Sequence, residues 1–143
     1  MGVTIRCKKT WRGIDLSYSG FDRLRLKVSQ LCGEPWYGHY NSLLDKMVDL
    51  GPDDGEFFKI FDQNTQQMLE EKKISVKIVD FCLQNECKGS IRYGACKQIL
   101  KVIGDYDDNV CYGYVGRPDC AMFRDFKAIL QECVENKCDM VWS

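Results

Sequence analysis

The chain has 143 residues, 45% of them hydrophobic and 29% charged, with a formal net charge of −1. That size suits one domain with a core of its own, and the balance excludes collagen-like, disordered and long coiled-coil proteins. No apolar run nears the roughly 18 residues of a membrane span and no signal-peptide core opens the chain, so a cytosolic protein with no membrane attachment is expected.

Taken in chain order, the first element is a hairpin over residues 3–18. Val3, Ile5 and Cys7 alternate with Thr4, Arg6 and Lys8, and after a turn Ile14, Leu16 and Tyr18 alternate with Asp15, Ser17 and Ser19. Period-two alternation on both sides of a turn predicts two strands with one buried face, and that face must lie on something else.

From residue 20 the period turns helical. Phe21, Leu24, Val28 and Leu31 form one stripe, and Tyr40, Leu43, Leu44 and Met47 a second that stops at Gly51-Pro52. A third begins at the acidic Asp53-Asp54, where negative charge favours a helix N-terminus, and runs through Phe57, Phe58, Phe61, Thr65, Met68 and Leu69. Ser75 and Ser90 are expected to cap a fourth and a fifth helix, the latter closed by Gly104. Residues 111–115 suggest one more short strand, and Pro118 suits the first position of a last helix carrying Phe126, Ile129, Leu130 and Cys133. The expectation is one α+β domain over residues 1–143, mainly helical, with five to six helices across 20–138.

Nine cysteines stand at positions 7, 32, 82, 87, 96, 111, 120, 133 and 138. Without a secretory signal they read as reduced thiols, most of them small buried hydrophobes. Two segments share the pattern C-x-x-N-x-C: Cys82 to Cys87 and Cys133 to Cys138. Residues five apart on a helix point about 140° from each other, so such a pair chelates only if the helix ends between them. Asn85 and Asn136 make that ending plausible, and the four sulfurs Cys82, Cys87, Cys133 and Cys138 form an alternative zinc set. The leading expectation is that no cofactor is bound.

Other chemistry is poorly supplied. His39 is the only histidine, so any thiol–imidazole mechanism would pass through it, and its aromatic neighbours suit a packed residue better. The acidic run at 105–109 lacks the glycine and glutamate of a calcium loop, since Val110 and Gly116 occupy those places. No complete catalytic motif is present.

Charge is more informative. Residues 1–30 hold seven basic side chains against two acidic ones, on a remainder with 13 basic and 19 acidic. Arg6, Lys8, Lys9, Trp11 and Arg12 crowd the hairpin and its tip. Such a ribbon could grip an acidic protein surface, meet the acidic body of a second copy, or hold nucleic acid. A second candidate binding surface combines Arg92 with Tyr112, Tyr114 and Arg117, where glycines and a helix start could present N–H groups to an anion.

The blocks Ser90-Ile91-Arg92-Tyr93-Gly94-Ala95-Cys96-Lys97 and Tyr112-Gly113-Tyr114-Val115-Gly116-Arg117-Pro118-Asp119-Cys120, with the opening Met1-Gly2-Val3, resemble an uncharacterised family of small proteins from Gram-positive bacteria and their phages. The resemblance spans most of the chain, carries no catalytic residue or ligand with it, and favours an accessory role. Together these readings predict a non-catalytic protein that binds another protein, itself included as a homodimer, with nucleic acid and cysteine-held zinc as alternatives.

Overall fold

A computed structural model describes residues 2–52 and 54–143. Among these residues the chain forms six helices and one four-stranded antiparallel sheet. The hairpin is β1 (Gly2–Cys7) and β2 (Gly13–Ser17), paired so that Ile5 faces Ile14 and Val3 faces Leu16. The chain then winds through α1 (Tyr18–Cys32), α2 (Trp36–Val48), α3 (Asp54–Glu70) and α4 (Val76–Leu83) before a short β3 (Gly89–Ile91). After α5 (Tyr93–Ile103) and α6 (Phe123–Asn136), β4 (Met140–Trp142) enters the sheet between β1 and β3. No helix among the described residues is long and apolar enough to cross a membrane.

Strand alternation divides the sheet into two faces. Val3, Ile5, Cys7, Leu16, Ile91, Met140 and Trp142 point into the core, where they meet Phe21, Phe81, Phe126 and Ile129 of the helices. The other face carries Thr4, Arg6, Asp15, Ser90 and Val141, all partly or fully exposed. Arg25 of α1 is the unusual core residue. Its guanidinium lies 4.2 Å from the Phe21 ring centre and within 6 Å of those of Phe81 and Trp142, and its Nε and Nη2 atoms are buried without a hydrogen-bond partner.

Helices α2 and α3 form an arm. α3 packs chiefly on α2, where His39 stacks on Phe61 at 4.0 Å and hydrogen-bonds Thr65 Oγ1 at 2.7 Å. Because Thr65 donates to the Phe61 carbonyl, it accepts from His39, which places a proton on Nε2. Burial lowers the His39 pKa, so the lone histidine is a neutral packing residue of the arm.

Several sequence expectations need correction. The last helix begins at Phe123, not at Pro118: Asp125 accepts from the Met122 backbone N–H, and residues ahead of it are held in a loop by a Cys111–Cys120 disulfide and a bridge from Cys111 to Met122. That bridge is all that forms of the strand expected over 111–115. The disulfide also overturns the expectation that every cysteine is a reduced thiol. Ser75 caps α4 as expected, but Ser90 belongs to β3 and Arg92 takes the cap position of α5. The Gln84 side chain explains the change, since it bonds both the N–H and the carbonyl of Ser90 as a neighbouring strand would. Asp53, expected at the start of the third helix, lies outside the described residues; α3 starts at Asp54.

Candidate functional site

Two features come together where β1 ends. Cys7 closes the strand with its side chain inward, and the next five residues form the tip that carries Lys8, Lys9, Trp11 and Arg12, all exposed. The tip is firmly built. The Cys7 N–H bonds Arg12 O at 2.9 Å, the Trp11 N–H bonds Cys7 O at 2.8 Å, and the Lys8 N–H reaches Asp139 O at 3.0 Å. Trp11 adopts a left-handed backbone at φ 60°.

Beneath the tip lie three sulfurs. Cys133 sits on the buried stripe of α6, below Ile129 and Leu130. The helix stops at Lys137, whose left-handed backbone (φ 50°) turns the chain so that the Cys138 N–H bonds the Cys133 carbonyl at 3.1 Å. Cys138 is thereby folded back beside Cys133 and meets Cys7, with their Sγ atoms 2.9 Å apart. The Sγ atoms of Cys7, Cys133 and Cys138 all lie within 4.8 Å of one another. Cys133 Sγ donates to the Asp139 carbonyl at 3.7 Å, and Cys96 of α5 is fully buried.

The environment of these thiols is uneven. Burial alone would raise the Cys7 pKa, but hydrogen bonds from the Cys138 thiol, the Thr10 hydroxyl and the Thr10 and Lys9 amides outweigh it and hold Cys7 at about 7. Cys133 is pushed up, first by its hydrogen bond with Cys96 and then by burial. Burial also raises Cys138.

The zinc set expected from sequence is only half assembled. Cys133 and Cys138 are in the cluster, whereas Cys82 is buried against Ser29 and Cys87 is exposed. Cys7 joins the cluster instead. It lies in no cysteine-pair motif, so spacing gives no signal, and the inward period of β1 is the one available clue.

The basic residues divide as well. Arg6 points to the open face of the sheet, between Gly13 and Val141 on the neighbouring strands. Its guanidinium lies 5.2 Å from the ring centre of Trp11, which is 66% exposed. Lys8 and Lys88 flank the same groove of about 590 Å³, floored by Ser90 and Val141. Lys88 was not among the residues singled out from sequence. Arg12 leans away toward Glu132 of α6, 3.8 Å from its carboxylate, and Lys9 is exposed at the tip.

The second expected binding surface does not form. Tyr112 is 3% exposed and its hydroxyl donates to Asp108 Oδ2 at 2.7 Å, as the Tyr106 hydroxyl also does. Burial would raise the Asp108 pKa, and these two hydrogen bonds bring it below the usual range. Asp107 pairs with Arg124 at 3.2 Å. Asp107 and Asp108 are thus held by groups of their own chain. Arg117 lies over the Tyr114 ring at 5.4 Å and pairs with Asp119, while Arg92 lines a separate hollow with Lys77 and Asp80. Comparison with protein-family models, with curated protein sequences and with solved structures gives no match.

Proposed function

We propose that this chain works by binding protein, using the groove of Arg6, Lys8, Trp11 and Lys88 to hold an acidic segment of a partner. One observation carries the reading. Three cations and an exposed indole share one open sheet face, and among the described residues none of the three cations forms an ion pair with a carboxylate of its own chain. Exposed cations held beside an aromatic ring match the chemistry of an interface anchor, and they steer an acidic partner on approach.

A second copy of the chain offers such a segment. Between Asp45 and Glu70 the sequence holds seven acidic residues against two basic ones. The same arm exposes Met47, Val48, Leu50 and Ile60, an apolar companion for Trp11. Sedimentation equilibrium at low and high salt tests this directly. The expected result is a dimer at low salt that dissociates as salt rises and is lost in the double variant Lys8→Glu, Lys88→Glu. A monomer under all conditions would exclude self-association and leave an acidic partner of another sequence.

Trp11 also supports a second reading, single-stranded nucleic acid, with a base stacked on the indole and phosphates on Lys8 and Lys88. Titration of a labelled oligonucleotide separates the two. Nucleic-acid binding requires an affinity that falls steeply with salt and collapses in Trp11→Ala.

A further inference from the structure

We propose that Cys7, Cys133 and Cys138 form a binding site for one thiophilic divalent metal ion, zinc in particular. The observation that carries this is convergence. Three side chains from the end of a strand, the last turn of a helix and the residue beyond its cap bring their sulfurs within 4.8 Å of one another.

The geometry suits a small tetrahedral ion. Zinc–sulfur bonds of about 2.3 Å put the corners of a tetrahedral thiolate site about 3.8 Å apart. The three sulfurs lie within 4.8 Å of one another, and Cys7 and Cys138, at 2.9 Å, must move apart by about 0.9 Å to reach that separation. That movement is available because Cys138 is partly exposed at the rim, past the helix cap.

The surroundings supply what a metal thiolate centre needs. The Cys7 backbone that carries the sulfur is fixed from both sides, its N–H bonded to the Arg12 carbonyl and its carbonyl accepting from the Trp11 N–H. A centre of three thiolates around a divalent ion is a net anion, and the neighbouring tip residues Lys8 and Lys9 are exposed cations. Binding releases one proton from each coordinating thiol to solvent, forms one metal–sulfur bond per cysteine and changes no oxidation state. Such a metal would pin the strand end, the tip and the C-terminal end of α6 to one another. The site stands independently of the groove.

The test uses the whole chain, purified with reductant and without chelator. Native mass spectrometry should find one zinc per chain, and cobalt(II) added to metal-stripped protein should give the intense visible bands of a tetrahedral site with sulfur-to-metal charge transfer in the near ultraviolet. Cys138→Ser, at the rim and the least disruptive change, should weaken zinc binding by about 100-fold or more. Cys87→Ser, at an exposed cysteine outside the cluster, should bind as the parent does. Circular dichroism establishes that each variant is folded, and the cobalt spectrum of the parent decides the question even if a variant is not. A parent chain that binds neither zinc nor cobalt overturns the proposal. So does a Cys138→Ser variant with unchanged affinity, or a metal-free chain whose Cys7 and Cys138 are joined as a disulfide.

Discussion

The segments Cys82 to Cys87 and Cys133 to Cys138 read alike, C-x-x-N-x-C after a helix, and they end in opposite places. In the second, a left-handed Lys137 returns the chain at once, so both cysteines face the same cluster. In the first, Gln84 leaves α4 in an extended conformation and the chain runs outward toward β3, so Cys82 stays in the core and Cys87 reaches the surface. The asparagines differ in the same way. Asn136 bonds back to Glu132 of its own helix, whereas the Asn85 side chain caps the Cys87 N–H and its carbonyl accepts from Trp142. A pair of cysteines becomes a cluster here through the conformation of one residue between them and the arrival of a third sulfur on β1. Spacing alone decides neither.

The strongest way to break that comparison is to remove the residue that holds the first segment in place. Trp142 is 1% exposed, packs edge-on against Phe21 and Phe81, and donates its indole N–H to Asn85 O at 2.9 Å. Trp142→Ala should cost about 4 kcal/mol through lost burial and the cavity left behind, read as a fall in the urea midpoint. Hydrogen exchange should rise most over residues 84–88, with the turn at 136–138 less affected. Equal loosening of both turns would show that they share one support.

The position that separates the two segments in charge gives the next test. Glu86 stands where the second segment has Lys137. Burial first, then the hydrogen bond and charge of Glu86, push the Asp22 pKa up to about 6, against the pull of Arg25. The folded chain therefore binds that proton more tightly than the unfolded chain does. This contribution to stability is complete below the ordinary aspartate value and is lost as pH rises through about 6. With the shift discounted for the partial exposure of Asp22, the loss between pH 4 and 7 should be about 1–2 kcal/mol. Asp22→Asn should remove that slope from a series of urea midpoints across the range. An unchanged slope would assign the pH dependence to other carboxylates.

Much of this architecture was legible in the residues, for reasons that also mark where legibility stopped. The hairpin showed because period-two alternation is local, and the helices showed because each carries its own stripe and often its own cap, as Ser75 does. The strands β3 and β4 did not show. Each has three residues, too few for a period, and they exist because Gln84 and β1 hold them. Pro118 and Ser90 carried start signals that tertiary contacts overrode. In the thiol cluster, Cys133 and Cys138 were visible as a pair, while Cys7 joined them from 126 residues away from Cys133 in sequence, a distance no motif spans. In the groove, Arg6, Lys8 and Trp11 were visible through charge. Lys88 was not, because only the pairing of β3 with β4 and of β4 with β1 brings it there.

The smallest effect sharpens the comparison most, because it acts on the one backbone conformation that distinguishes the two turns. Lys137 holds φ at 50°, a region where a side chain costs energy and glycine does not. Lys137→Gly should therefore stabilise the chain by about 0.5–1 kcal/mol, the usual gain of glycine at a left-handed helix end. Cys138 should stay beside Cys7, so the spectrum of the cobalt-bound protein should not change. The corresponding Glu86→Gly should bring no such backbone gain, since no left-handed residue ends α4 and the added freedom favours the unfolded chain. Measured at pH 4, where the charge of Glu86 beside Asp22 counts least, it should not stabilise. If Lys137→Gly instead destabilised the chain, the turn would depend on contacts of the lysine side chain, and the difference between the two segments would lie in residue chemistry after all.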